Sequence, residues 1–449
     1  MQHIADQTFD ILIEGGTALT LSQNREIIED AVIGIAGGWI GFISDKNDPV
    51  CRGLKAKERI QADRCLVMPG LINTHTHLPM VCFRGMADDL PLMDWLTKHI
   101  FPAEAKYATK QMVHDGALLA MAEMILSGTT TFCDGYFFEN QVAQAALDCG
   151  LRAVVCQGFA DFATPDPSDF KKMMAAASRF VARWQSHSPL ITPAFFCHSP
   201  YTCSPETLVN VKEAAREAGI LYLIHLLENS DESGMIEKKY GKTPVAHLLD
   251  LGVLDETTVA VHCNWLTDGD IDVFADRGVG VSHNPRSSMK LAAGIAPVPR
   301  MIDKGLEVGL GTDGAASNNN LDMFTEMDSC AKIHKVAALN PAVMDARSVV
   351  QTATIGGARL LGLGEVVGSL EAGKQADIII VDMDQPHLTP LYRPYSQLVY
   401  AARGADVKTS IVAGRLLLRD RKLLTLDVDT AITRVREIAR AISSDRNPS

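Results

Sequence analysis

Long apolar runs are missing from this 449-residue chain: none approaches the roughly 18 residues that a membrane-spanning helix needs. Basic patches are missing too. Acidic residues outnumber Lys and Arg by 54 to 42, for a formal net charge of −12, so a polyanion would be repelled rather than held. Neither nucleic acid nor membrane is an expected partner. The 10 cysteines contain no C-x-x-C pair and no regular spacing, which excludes a disulfide framework and fits reduced thiols. No Ser, Thr or Cys stands in a nucleophile elbow, so covalent catalysis has no support in the sequence. Heptad arrays and short-period repeats are absent as well. The opening MQHIADQTFD is polar and lacks the basic-then-apolar order of a signal peptide. A cytoplasmic location is the expectation, with a homo-oligomer as the expected assembly.

What the chain does have is apolar residues, 47% of it, enough for one large domain and a smaller one. The two ends share one character. Short β-rich runs at Phe9 to Glu14, Ala31 to Ala36 and Trp39 to Ile43 are matched near the other end by Ala376 to Asp382 and Lys408 to Ala413. These predict a small β-sandwich built from residues 1–67 and 365–449. A closing helix is expected over Asp427 to Ser443, from the spacing of Ala431, Ile432, Val435, Ile438 and Ile442.

Residues 68–364 alternate strand and helix signals. Eight apolar runs end in polar residues: Cys65 to His77, Gly128 to Asp134, Arg152 to Phe159, Ile191 to Ser199, Leu221 to Glu228, Thr258 to Asn264, Val279 to Asn284 and Glu307 to Asp313. Between them lie helical segments such as Thr109 to Leu126, Pro205 to Ala218 and Thr243 to Leu251. Eight such units suit an α/β protein of the (β/α)8, TIM-like barrel class, although a doubly wound open sheet also uses many. The histidines favour the barrel. Six of the 13, namely His75, His77, His198, His225, His262 and His283, fall at or near strand C-terminal ends, the rim where barrel enzymes build their sites.

His75 and His77 are two apart, so a strand presents both on one face, where they can share a metal. His225 supplies a third nitrogen and Asp313 an oxygen. Three His and one Asp suit a Zn²⁺ that lowers the pKa of a water towards 7, and Fe²⁺ or Mn²⁺ suit the same set. The alternative is a pair of solvated histidines and an Asp that caps the turn Gly311-Thr-Asp-Gly314. Glu228, three residues beyond His225, is placed as a proton shuttle, or else as a solvated loop residue. His262 is positioned to polarise the attacking water, or to fill the core. The run Gly309-Leu-Gly-Thr-Asp-Gly314 lacks the Lys-Ser/Thr ending of a phosphate loop.

Met68-Pro-Gly-Leu-Ile-Asn-Thr-His-Thr-His77, His225-Leu-Leu-Glu228, His262 and Gly311-Thr-Asp-Gly314 resemble the amidohydrolase superfamily, over nearly the whole chain. Within it, Arg84-Gly-Met-Ala-Asp-Asp-Leu-Pro-Leu-Met-Asp-Trp-Leu96, Pro102-Ala-Glu104 and Gly311-Thr-Asp-Gly-Ala-Ala-Ser-Asn318 look like the 5-methylthioadenosine/S-adenosylhomocysteine deaminases. The resemblance implies one metal on His75, His77, His225 and Asp313. Asp313 then takes a proton from the attacking water, and Glu228 delivers one to N1 of the purine. Water adds at C6 and ammonia leaves. Glu104 accepts from the ribose hydroxyls, Trp95 lines the sugar or thioether side with Leu92, Met93 and Phe101, and His198 and Ser317 complete the purine pocket. One departure stands out. Where some relatives carry an Arg for the amino-acid end of S-adenosylhomocysteine, this chain has Gln157, leaving Arg286 as a candidate replacement.

Rival readings are an s-triazine hydrolase, which shares the metal set without needing Glu104, and a guanine or cytosine deaminase, which lacks the Asp88-Asp89-Leu90-Pro91-Leu92 segment. A non-catalytic dihydropyrimidinase-like structural protein is a third. Such proteins lose metal ligands, and this chain lacks none.

Overall fold

A computed structural model of the protein describes residues 7–22, 27–166 and 169–446. Residues 1–6, part of the segment on which the signal-peptide reading rests, lie outside them. Eight parallel strands follow one another in a single sheet, in chain order. They are β1 (Leu71–Thr76), β2 (Thr129–Tyr136), β3 (Arg152–Phe159), β4 (Ile191–Cys197), β5 (Tyr222–Leu226), β6 (Thr258–His262), β7 (Gly280–His283) and β8 (Val308–Leu310). The sheet curls round until the segment after β8 meets β1. There the Asp313 amide donates to the His75 carbonyl at 2.9 Å. The Asn73 side chain also donates to Thr312 Oγ1 at 2.7 Å and accepts from the Thr312 amide at 3.0 Å. This is a (β/α)8 barrel, not a doubly wound open sheet.

Inward side chains such as Val154, Ala194, Phe196, Leu223 and Val261 fill the barrel, with Ile355, Leu360 and Leu361 packed against them. Leu360 sits so close to Gly280, the first residue of β7, that a Cβ there would lie 2.2 Å from its Cδ1. The apolar plug is therefore at the N-terminal end, which leaves the C-terminal rim for polar residues. The surrounding helices start where the sequence supplies caps. Thr109 accepts from the Met112 amide to open Lys110–Leu126, Ser204 opens Pro205–Ala218, and Thr243 opens Pro244–Asp250.

One expected strand is in fact two. The run from Cys65 to His77 breaks at Gly70 into Cys65–Pro69, which pairs antiparallel with Ile378–Asp382, and β1. Any side chain at Gly70 would collide with Thr130, whose Oγ1 lies 2.0 Å from the Cβ position, so the chain can cross between sheets only on a glycine. Outside the barrel, a four-stranded sheet is built from the N-terminal end alone and a seven-stranded sheet from both chain ends. Their shared core includes Ile11, Ile33 and Ile60 from one end with Ile378, Ile380 and Ile411 from the other. Lys55–Gln61 is a strand that the sequence conceals, because its alternating charged residues leave only Ile60 buried. A buried ion pair joins this layer to the barrel: Arg152, opening β3, grips Asp377 through Nε at 2.8 Å and Nη2 at 3.0 Å. The last helix, Val428–Arg446, packs on Lys110–Leu126. Among the described residues, no helix is long and apolar enough to cross a membrane.

Candidate active site

The strand ends deliver four potential ligands to one point. His75 lies in β1 and His77 directly follows that strand, His225 lies in β5, and Asp313 comes three residues after β8. His75 Nε2 is 3.2 Å from His225 Nε2 and 3.5 Å from Asp313 Oδ1, and His77 Nε2 is 3.4 Å from the same oxygen. Ligands held 2.0–2.2 Å from a tetrahedral ion lie about 3.3–3.6 Å apart, so these separations match a single centre. His77 Nδ1 donates to the Gly135 carbonyl at 2.5 Å, which leaves the lone pair on Nε2, facing the cluster. Burial, reinforced by the neighbouring rings, pushes His77 down to about 4 and His225 well below the ordinary imidazole range. Both are neutral at physiological pH, the form that binds metal. Burial works against the Asp313 carboxylate, yet contact with His75 and the nearby rings of His262 and His77 holds its pKa well below the usual range. The donor set therefore fits a divalent ion.

Asp313 is fixed by three donors, of which Ser287 carries no signal in the sequence. Its Oδ2 accepts from Ser287 Oγ at 2.6 Å and from Ser317 Oγ at 2.7 Å, and its Oδ1 from the Gly314 amide at 2.7 Å. The glycines around it answer to crowding, not to phosphate. A Cβ at Gly311 would lie 2.3 Å from Asn284 Oδ1 and 2.8 Å from the His75 amide.

Glu228 and His262 face each other across the same space, with His262 Nε2 3.8 Å from Glu228 Oε1. Asn284 Nδ2 donates to His262 Nδ1 at 3.2 Å, which puts the remaining ring hydrogen on Nε2. Burial pushes His262 down to about 3, so this N–H belongs to a neutral ring. Burial, with the charges of Asp313 and Glu232 behind it, holds Glu228 well above the carboxylate range. The main chain of Glu228 is clamped on both sides: its carbonyl accepts from Asn264 Nδ2 at 2.8 Å and its amide donates to Glu232 at 3.3 Å. His262, Cys263 and Asp313 all sit at positive φ, 72°, 56° and 61°, backbone that side chains other than glycine adopt only when the surroundings enforce it.

A cavity opens above these residues. His77, His225, Glu228, His262 and Asp313 form its floor; Glu104, Trp95 and His198 line it further out. Glu104 is buried, and burial pushes its pKa up to about 7 against the pull of the Tyr136 hydroxyl beside it. Trp95 is buried with its indole N–H unpartnered. His198 donates to or accepts from Thr202 Oγ1 at 3.0 Å and sits edge-on to Phe101 and Phe162. The rest of the wall is apolar, with Leu92, Leu96, Ile100, Phe101, Phe159 and Phe162 among it. Among the described residues, no Lys or Arg lines the cavity.

Four candidates for substrate contact drawn from the sequence lie off this lining. Ser317 spends its hydroxyl on Asp313. Gln157 turns its amide to Asp166 and the Gly158 carbonyl, at 3.4 Å each. Arg286 reaches Asn318 at 3.3 Å and the buried Glu326. Met93 faces a neighbouring surface groove. Conversely, Tyr136, Asn284, Ser287 and Glu232 escaped notice, because an Asn or Ser after a strand looks like any turn residue.

With this fold and this donor set, residues 66–417 match the model of the amidohydrolase family, and the chain belongs to that family. It is 47% identical over 433 residues to a 5-methylthioadenosine/S-adenosylhomocysteine deaminase of Syntrophobacter fumaroxidans, covering 96% of this chain and 98% of that one. A 5'-deoxyadenosine deaminase of Methanosarcina mazei is 44% identical, with 96% and 98% of the two chains covered. Among solved structures, an adenosine deaminase from Xanthomonas campestris with bound zinc superposes with a TM-score of 0.95 at 36% identity, covering 98% of this chain and 99% of that one.

Proposed function

We propose that the protein hydrolytically deaminates an adenosine-type nucleoside, with a preference for a small apolar group at the 5' position. The observation that carries the reading is a cavity with a His3Asp cluster and a largely buried glutamic acid at its floor, a second buried carboxyl group further out and, among the described residues, no cation on its wall. Similarity to named adenosine-type deaminases supports it.

His75, His77, His225 and Asp313 hold a divalent ion, most simply Zn²⁺, which when bound acidifies and positions the attacking water. The ionised Asp313 takes a proton from that water as its oxygen adds to C6. Glu228 gives its proton to N1, so the ring nitrogen does not carry negative charge. His262 points its Nε2–H at the adding oxygen. Asp313 then passes its proton to the amino group, the C6–N bond breaks with its electron pair leaving on ammonia, and the C6 hydroxyl proton returns to Glu228. The inosine analogue results, with both carboxyl groups in their starting states. Glu104 accepts from the two ribose hydroxyls once ionised, and Trp95 and Phe101 pack the 5' end.

An s-triazine has no diol to occupy Glu104, and its hydrolysis gives no reason to bury a carboxylate in an apolar wall. The deciding assay follows the ultraviolet change from adenine to hypoxanthine across adenosine, 5'-deoxyadenosine, 5'-methylthioadenosine and S-adenosylhomocysteine, with an aminotriazine as control. Turnover of the triazine and none of the nucleosides overturns the reading.

A further inference from the structure

Away from the cavity, three further metal-ligating side chains meet behind β7. His283 ends that strand, and Cys330 and His334 stand four apart on the helix Met323–Ala338, on one face of it. Their ligand atoms all lie within 4.8 Å of one another. All three residues are buried, at 1%, 0% and 2% exposure. The two Nε2 atoms are 3.2 Å apart, close to the roughly 3.3 Å that separates two imidazole nitrogens on one tetrahedral ion. Two neutral imidazoles could share a single hydrogen at that contact. Packing of that kind does not account for the second ring nitrogen of His283, which is buried without any partner, nor for a free thiol placed against the pair.

We propose that His283, Cys330 and His334 form a second metal site, one that binds a soft d10 cation, Zn²⁺ or Cu⁺, through two imidazoles and a thiolate. Both cations accept this donor set. The site is a brace, not a catalytic centre. It ties the end of β7 to the helix behind it, and the residues that follow β7 include Asn284, which bonds to His262, and Ser287, which bonds to Asp313.

The two sites differ in one readable way: the cluster at the cavity floor offers only nitrogen and oxygen, whereas this one offers sulfur. Enzyme stripped with a chelator and titrated with Co²⁺ should take up two equivalents and develop a sulfur-to-cobalt charge-transfer band in the near ultraviolet. Cys330→Ser should take up one equivalent, lack the band and keep its turnover; His334→Gln should also lose the second equivalent. The melting temperature should rise on filling the second site in the parent enzyme but not in Cys330→Ser. Zn²⁺ and Cu⁺, the latter under reducing conditions, are then added separately, and the one that removes the band at equimolar concentration is the cation the site prefers. The proposal is overturned by uptake of one equivalent with no band in the parent enzyme, by a band or second equivalent that survives in Cys330→Ser, or by displacement with neither cation.

Discussion

Replacing Glu228 with Gln tests the chemistry with the least disturbance. The two side chains are nearly isosteric, and a Gln amide can still donate a hydrogen bond to the purine, but it cannot surrender a proton. Burial, with Asp313 and Glu232 nearby, holds Glu228 well above the carboxylate range, so the parent enzyme keeps the proton that N1 must receive. The contacts from Asn264 and Glu232 are to the main chain of residue 228 and survive the change, so fold and metal content should be intact. A positioned general acid is worth about 10²–10⁴ in rate, or roughly 2.7–5.4 kcal/mol at 1.36 kcal/mol per decade. The loss should fall on kcat and leave KM nearly unchanged. The alkaline limb of the parent profile, where Glu228 loses its proton, should vanish in the variant. Stability should move the other way. The unfolded chain releases this proton near the ordinary value of 4.5 while the folded chain retains it, so the parent loses stability as pH rises above that point. Glu228→Gln escapes this and should melt higher at neutral pH. Steady-state kinetics, metal analysis and melts across pH provide the check. A metal-replete variant with near-normal kcat, or with its defect confined to KM, refutes the role.

His225→Ala should abolish nearly all turnover and lower metal content at the cavity floor by about one equivalent; intact activity by kinetics and elemental analysis would remove His225 from the ligand set. For Glu104, whose buried pKa lies at about 7, diol binding needs the ionised form, so KM for adenosine-type substrates should fall as pH rises through about 7. Glu104→Gln should flatten that profile, and 2',3'-dideoxy analogues should be poor substrates for the parent; a dideoxy analogue turned over as well as its parent refutes the contact. At the 5' end, a zwitterionic homocysteine tail would have to be desolvated without a cationic partner. We therefore expect kcat/KM for 5'-methylthioadenosine or 5'-deoxyadenosine to exceed that for S-adenosylhomocysteine by about tenfold, or roughly 1.4 kcal/mol. Thr164→Arg, at a position on the cavity wall, should narrow the ratio, and equal efficiencies in the parent enzyme refute the argument.

Much of this was legible from periodicity, because the barrel obeys local rules. Apolar runs of strand length alternating with helical segments, several of which open on a Thr or Ser cap, report the units directly, and His75 with His77 shows its shared face through a spacing of two. The failures have a common cause in contacts between residues far apart in sequence. Gly70 divides one apolar run between two sheets because Thr130, on the next barrel strand, occupies the space a side chain would need. The family resemblance assigns Ser317 to the purine pocket. Its hydroxyl instead joins that of Ser287 on the Asp313 carboxylate, and Ser287 is supplied by the short helix Pro285–Lys290 that follows a different strand. Arg286 illustrates the limit most clearly. By composition it was a candidate for a substrate carboxylate, yet the buried Glu326 and Asn318 engage it, and their own positions depend on a helix some 40 residues further on. The residue types needed for the chemistry can be read from strand ends. Which of them reach the cavity is decided by the polar partners that draw the others away, and those partners come from every turn of the barrel rim.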